Sequence, residues 1–96
     1  MLTSKQRATL SSMANSLDPL VHIGKAGLAE GVADALDKAL ADHELVKVRF
    51  VDFKDERRNL ADELASRLGA ELVRVIGHVA IMYRQSPEPE KRTIHV

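Results

Sequence analysis

Three amphipathic helical patterns alternate with four short β-rich segments along this 96-residue chain. The order is α-β-α-β-α-β-β, and a helix between two strands normally makes a right-handed crossover that leaves the strands parallel. Little more than Gly77 separates the last two strands, which predicts a tight antiparallel hairpin. The chain is therefore expected to form an α/β fold: a four-stranded mixed sheet with helices mainly on one face.

Boundary signals accompany the helical patterns. Thr3 and Gln6 have the spacing of a capping box, and the pair Asp18-Pro19 should end the first helix. Asp55 can cap the third helix, and Gly69 can end it. Helical spacing relates Leu10, Met13, Ala14 and Leu17 in the first helix. The second helix is amphipathic through Leu28, Val32, Ala35, Leu36, Ala39 and Leu40, and the predicted core stripe of the third is Leu60, Ala61, Leu64, Ala65 and Leu68.

Strands are predicted at residues 20–23, 45–51, 71–76 and 78–84. Alternation predicts that one face packs under the two crossover helices and carries Val46, Val48, Phe50, Val73, Val75, Val79, Ile81 and Tyr83. The opposite face would receive Lys47, Arg49, Arg74, His78 and Arg84, together with Leu45, Leu72, Ile76 and Met82. The first helix should cover the apolar part of this second face. Ordinary solvation of an open sheet face is the alternative explanation for the bases.

A Gly-x-x-Gly loop, made by Gly24, Lys25, Ala26 and Gly27, leads from the first strand into the second helix. Glycines allow tight bends and leave the backbone accessible, and the first N–H groups of a helix attract anions. Lys25 adds a positive charge, and Lys5 and Arg7 lie in the preceding helix. These features favour an RNA phosphate as the ligand, as in other Gly-x-x-Gly loops. A plain strand-to-helix turn is the alternative.

Several classes of function are disfavoured by composition. The chain has no cysteine, which excludes disulfides and thiolate metal sites and fits a reducing, cytoplasmic compartment. No apolar run approaches the ~20 residues of a membrane span, and the first ten residues lack the apolar core of a secretory signal. The four histidines lack metal-ligand spacing, and no Gly-x-Ser-x-Gly turn is present. We therefore expect no metal, no cofactor, no membrane association and no enzymatic activity.

The zero formal net charge conceals an uneven distribution. Residues 29–44 carry five acids and one base, a net charge of −4, so the remainder of the chain has a net charge of +4. The acids are Glu30, Asp34, Asp37, Asp42 and Glu44. An acidic face on the second helix allows a different function, in which the chain is a protein-interaction module. Simple solvation of that face is the plainer interpretation.

Three blocks of sequence together resemble the bacterial YhbY-like proteins, which are single-domain versions of the CRM domain (chloroplast RNA splicing and ribosome maturation). The blocks are "LTSKQRATLSSMANSLDPLVHIGKAGL", "EGVADALDKALADHELVKVRF" and "AELVRVIGHVAIMYR". They extend in order over residues 2–84, whereas "FVDFKDERRNL" carries no distinctive motif of the family. The neutral net charge is a departure, because related chains are more basic.

The resemblance implies RNA binding and association with ribosomal RNA in precursors of the large ribosomal subunit. It also implies a fold similar to that of the C-terminal domain of bacterial translation initiation factor three. The family's Gly-x-x-Gly loop corresponds to residues 24–27, and its basic first helix corresponds to Lys5 and Arg7. We thus predict a monomeric RNA-binding domain at residues 1–84, with Lys47, Arg49, Arg74 and Arg84 as further contacts, and a flexible tail at 85–96.

Overall fold

A computed structural model describes residues 2–24, 30–52 and 55–95. Its elements are α1 (Ser4–Ala14), β1 (Val21–Ile23), α2 (Glu30–His43), β2 (Leu45–Phe50), α3 (Arg57–Arg67), β3 (Glu71–Ile76), β4 (Val79–Tyr83) and a short 3₁₀ helix (Pro89–Lys91). The sheet has the strand order β1-β2-β4-β3. β1 is parallel to β2, and β4 is antiparallel to both β2 and β3. The predicted α/β class, element order and four-stranded mixed sheet are confirmed.

Local sequence signals account for several element boundaries. The Thr3 side chain accepts a bond from the Gln6 backbone N–H (3.1 Å), and the Gln6 side chain accepts one from the Thr3 N–H (2.8 Å), which completes the predicted capping box. Gly69 has a φ of +64° and follows α3 as the left-handed residue that a helix end often requires. Gly77, with a φ of +56°, takes the first of two loop positions between β3 and β4.

Two helix boundaries differ from the prediction. α1 ends at Ala14, before the Asp18-Pro19 pair, so Leu17 lies outside the helix. α3 begins after Glu56, whose side chain makes no capping bond, so Asp55 is not its cap.

The two faces of the sheet support separate apolar clusters. α2 and α3 pack on one face, over the core formed by Val21, Ile23, Leu36, Leu40, Val46, Val48, Phe50, Ala61, Leu64, Ala65, Ala80 and Met82. α1 packs on part of the other face, over a smaller cluster formed by Leu10, Ala14, Leu45, Val73, Ile81, Tyr83 and Ile94. Because α1 is short, it covers one end of its face and leaves the other end bare of helix.

The predicted side-chain alternation is right for β2 and wrong for β4. Val46, Val48 and Phe50 do face α2 and α3. On β4, however, Ala80 and Met82 take that position, and Val79, Ile81 and Tyr83 point to the α1 side. Both alternating sets of β4 side chains are apolar. The sequence therefore does not indicate which set packs under α2 and α3 and which packs under α1.

A bulge between Leu72 and Arg74 interrupts the alternation of β3. Leu72 and Val75 pack against the α2–α3 core, whereas Val73 joins the α1 cluster. The prediction that Val73 and Val75 share a face is therefore wrong, and so is the placement of Leu72. A bulge adds one residue to a strand and shifts the side-chain period, which alternation alone does not reveal.

Residues 85–95 pack against the domain instead of extending as a loose tail. The carboxylate of Glu44, a buried residue with a φ of +62°, accepts backbone N–H bonds from Ser86 (2.6 Å), Thr93 (2.8 Å) and Ile94 (3.3 Å). Ile94 is buried in the α1 cluster. These contacts place residues 85–95 against the domain; the domain boundary at residue 84 and the flexibility of the segment beyond it stay predictions.

The same carboxylate has a perturbed protonation equilibrium. Burial raises the pKa of Glu44, but the hydrogen bonds from the backbone N–H groups of Ser86, Thr93 and Ile94 together lower it by more. The pKa of Glu44 therefore lies below the usual 4.5. Burial and the nearby negative charge of Glu44 raise the pKa of Tyr83, against a smaller opposing effect of Arg92. Glu44 is thus held as an anion inside the domain.

Candidate nucleic-acid interface

Four basic side chains gather on the part of the sheet that α1 leaves bare. His22, Arg49, Val79 and Ile76 are aligned in one cross-strand row over all four strands, which we call the Arg49 row. Lys47, Ile81 and Arg74 are aligned in the next row towards α1. Residues paired across a sheet point to the same face, so both rows lie on the α1 side. We call His22, Lys47, Arg49 and Arg74 the basic sheet face.

The basic sheet face is accessible and carries no acid within its rows. His22, Arg49 and Arg74 are exposed. Within the described part of the chain, the Arg49 and Arg74 side chains make no hydrogen bond or ion pair. Lys47 is half-buried, and its Nζ donates to the Leu17 carbonyl at 3.0 Å. A surface with these charges and no carboxylate among them suits an extended polyanion.

The Gly-x-x-Gly loop starts at the end of the sheet that holds the Arg49 row. Ile23 pairs with Phe50, and the Val51 N–H donates to the Ile23 carbonyl at 2.8 Å, so Gly24 follows directly beside the end of β2. Gly24 is half-exposed, and a Cβ built on it would meet no atom within 4 Å. Lys25, Ala26 and Gly27 lie outside the described residues.

Of the two predicted bases in α1, one is exposed and one is engaged within the protein. Lys5 is exposed on α1, the helix that shares this side of the sheet. Arg7 is half-buried, and its Nη1 donates to the carbonyls of Leu72 and Val73, the latter at 3.1 Å. These carbonyls lie at the β3 bulge, where the ladder is interrupted, so the Arg7 guanidinium supplies donors where the strand pairing is irregular.

Two other predicted bases do not belong to the basic sheet face. Arg84 follows β4 and donates to the Asp37 carboxylate (2.7 Å) and to the Leu68 carbonyl (2.9 Å), so its side chain lies on the α2–α3 side. His78 lies in the β3–β4 turn, with its Nδ1 3.1 Å from an Arg57 Nη atom. Arginine can only donate, so Nδ1 accepts. The predicted face of both residues is wrong.

Sequence reasoning missed His22 as a member of the face. The signal was present, because Val21 and Ile23 are both buried and His22 between them must point to the opposite side. Sequence reasoning also missed Arg57, a buried residue that donates to the Gly77 carbonyl and contacts His78. No sequence signal identifies such a contact across 20 residues.

The acidic face of α2 is less free than the sequence suggested. Asp37 is paired with Arg84, as its carboxylate Oδ1 and backbone carbonyl both accept from that guanidinium. Asp34 and Asp42 are exposed, and the Glu30 side chain is outside the described part. Glu44 is buried and faces the C-terminal segment. The row of five acids is therefore not one continuous surface.

Over residues 2–24, 30–52 and 55–95, no group of three or more histidine or acidic side chains is arranged to hold a metal ion. No helix within these ranges is both long and apolar enough to cross a membrane.

Comparison with known proteins identifies close similarities over the whole chain. Residues 2–84 match the CRS1 / YhbY (CRM) domain family. A Pseudomonas aeruginosa protein named as a probable RNA-binding protein is 38% identical over 99% of this chain and 92% of its own length. A Haemophilus influenzae protein named as an RNA-binding protein is 36% identical over 91% of this chain and 89% of its own.

A solved structure shows the same fold. The solution structure of a Staphylococcus aureus protein, SAV1595, described as a candidate RNA-binding protein, superimposes with a TM-score of 0.81 at 37% sequence identity. The match covers 99% of this chain and all of the Staphylococcus protein.

Proposed function

Because the chain belongs to the CRS1 / YhbY (CRM) domain family, we propose that it binds RNA, without catalysis, through the basic sheet face and the adjoining residues 24–27. The observation that carries the proposal is the register that aligns His22, Arg49 and Arg74, all exposed, with Lys47 in two neighbouring rows free of acids. The names of the relatives point the same way. A filter-binding titration of the chain with a transcript of large-subunit ribosomal RNA tests it directly.

The mechanism is electrostatic positioning of the RNA backbone. Arg49 and Arg74 each present a planar guanidinium that can pair with a phosphate through two N–H groups, whereas Lys47 offers a single ammonium. Gly24 lies beside the ends of β1 and β2, and Lys25, the next residue in the sequence, would add its charge there. Lys5 supplies a further exposed charge from α1. Arg7 and Arg84, being engaged within the protein, would contribute less.

We further propose that the RNA is ribosomal RNA in precursors of the large subunit, and that the protein works as a cytoplasmic monomer. This rests on the family resemblance, since the basic sheet face suits any extended polyanion and does not favour a particular RNA. The protein would then be an assembly factor that binds an immature particle and leaves the mature one.

We expect the protein in a cell lysate to sediment with particles lighter than the mature large subunit. Because phosphate contacts weaken with salt, raising the salt concentration should move it to the top of the gradient, and ribonuclease should do the same. Immunodetection across a sucrose gradient measures this. Exclusive sedimentation at the top of a low-salt gradient, with large-subunit precursors present, would contradict the assembly role.

Changes in the Gly-x-x-Gly loop should weaken RNA binding without unfolding the domain. Lys25→Ala removes one charge, and one phosphate contact is worth roughly fourfold in affinity at ~0.15 M salt. Gly24→Asp should cost about tenfold or more, because it sets a carboxylate beside the proposed phosphate path. The open space around Gly24 leaves room for the new side chain.

Ala41→Asp, on the exposed surface of α2, is the matched control, since it adds the same charge at a distance from the loop. Thermal unfolding verifies that each variant is folded. Wild-type affinity in both loop variants would remove the loop from the proposed mechanism.

A further inference from the structure

The Arg49 row contains apolar side chains that phosphate binding does not explain. Ile76 is 48% exposed and Val79 is half-buried, and they extend the row from Arg49 across β4 and β3. The apolar residues that α1 covers, such as Ile81 and Tyr83, lie further along the strands. A surface that bound only phosphates would gain nothing from an exposed isoleucine in the same row as an exposed arginine.

The side chains of the Arg49 row, and the width of the row, are suited to contact the flat faces of nucleobases. Arginine guanidinium and histidine imidazole planes both stack on nucleobases, and aliphatic side chains bury the apolar faces of the bases. Strands lie about 4.8 Å apart, so the row extends over roughly 14 Å. Other four-stranded sheets of this width stack two or three bases on aromatic residues. In the Arg49 row, aliphatic and cationic side chains occupy the positions that aromatic residues take in those sheets.

We propose that the Arg49 row binds the faces of unpaired nucleobases, so that the RNA contacted here is single-stranded. The inference rests on the proposed RNA binding and adds to it: phosphates are held by Lys47, Arg74 and the N–H edge of the Arg49 guanidinium, while two or three bases lie over Ile76, Val79 and the flat face of Arg49. A duplex is excluded as the ligand of this row because its base faces are stacked against one another.

The test compares two RNA probes that differ only in their bases. One is a pool of decaribonucleotides of random sequence, and the other is an abasic decaribonucleotide with the same phosphates and riboses. The wild-type chain should bind the base-containing pool about fivefold or more tightly than the abasic probe. Ile76→Thr keeps a β-branched side chain, and it should reduce the preference for bases while leaving abasic binding unchanged. Arg49→Lys keeps the charge but loses the flat guanidinium, so it should reduce the ratio of base-containing to abasic binding.

Leu20→Thr is the matched control, because Leu20 is 52% exposed and lies outside the Arg49 row. It should retain the full preference for bases.

Equal wild-type binding of both probes would overturn the base platform and leave RNA binding intact. A preference that survives in both Ile76→Thr and Arg49→Lys would also overturn it, by showing that the bases bind elsewhere. Binding of neither probe would overturn the proposed function itself and the platform with it. If Ile76→Thr does not fold, Arg49→Lys and the wild-type comparison decide.

Discussion

Replacing Lys47, Arg49 and Arg74 together with glutamine should weaken binding to single-stranded ribosomal RNA by roughly 50-fold at ~0.15 M salt. Each lost phosphate contact removes about fourfold through counterion release, and three losses multiply. The slope of log affinity against log salt should also become shallower by about 2, from three contacts at ~0.7 each. Arg49 and Arg74 are exposed and have no side-chain partner among the described residues, and Lys47 loses a single bond to the Leu17 carbonyl, so the domain should remain folded. Filter binding over a salt series measures both quantities.

A second triple variant separates local charge from net charge. Lys38, Arg58 and Arg67 are exposed on α2 and α3, which pack on the opposite face of the sheet. Their replacement by glutamine removes the same three charges, yet it should change affinity only slightly, because surface charges separated by more than ~8 Å are largely screened at this salt. Equal losses in the two triples would mean that the basic sheet face is not the binding surface.

The sequence predicts the fold well because its local signals agree with one another. The capping box at Thr3, the left-handed glycine at Gly69 and the tight turn at Gly77 each occur where the pattern predicts an element boundary. The three helical patterns and the four strands then allow few topologies. β2 alternates apolar and basic residues, so the placement of Arg49 followed from its neighbours.

The errors arise where one pattern is compatible with two arrangements. β4 is apolar on both faces, so the sequence does not distinguish Ile81 from Met82 as the residue under α2 and α3. The β3 bulge then determines where Val73 points and which carbonyls Arg7 satisfies. Arg84 forms an ion pair with Asp37, which is 47 residues away in the sequence, and this contact depends on the packed structure alone. A basic residue identified from sequence is therefore a candidate ligand only after its intramolecular partners are known.

Glu44→Gln should lower the free energy of unfolding by about 2–4 kcal/mol and release the C-terminal segment. The buried carboxylate accepts from three backbone N–H groups, those of Ser86, Thr93 and Ile94. Glutamine has one acceptor oxygen, and its amide N–H₂ would face a donor in place of the second. Buried donors left without partners account for most of the cost. Chemical denaturation measures the stability, and hydrogen exchange of the Thr93 and Ile94 amides reports on the segment.

The loss of stability in Glu44→Gln should depend on pH, because folding lowers the pKa of Glu44. The pKa of Glu44 is depressed below 4.5 in the folded protein, so its stabilising contribution is fully present above pH 4.5 and is lost as the pH falls through the folded value. The difference in stability between wild type and Glu44→Gln should therefore be constant near neutral pH and shrink in acid. Glu63→Gln, the same change on the exposed surface of α3, should cost under ~0.5 kcal/mol. If Glu44→Gln behaves like Glu63→Gln, this carboxylate does not hold residues 85–95 against the domain.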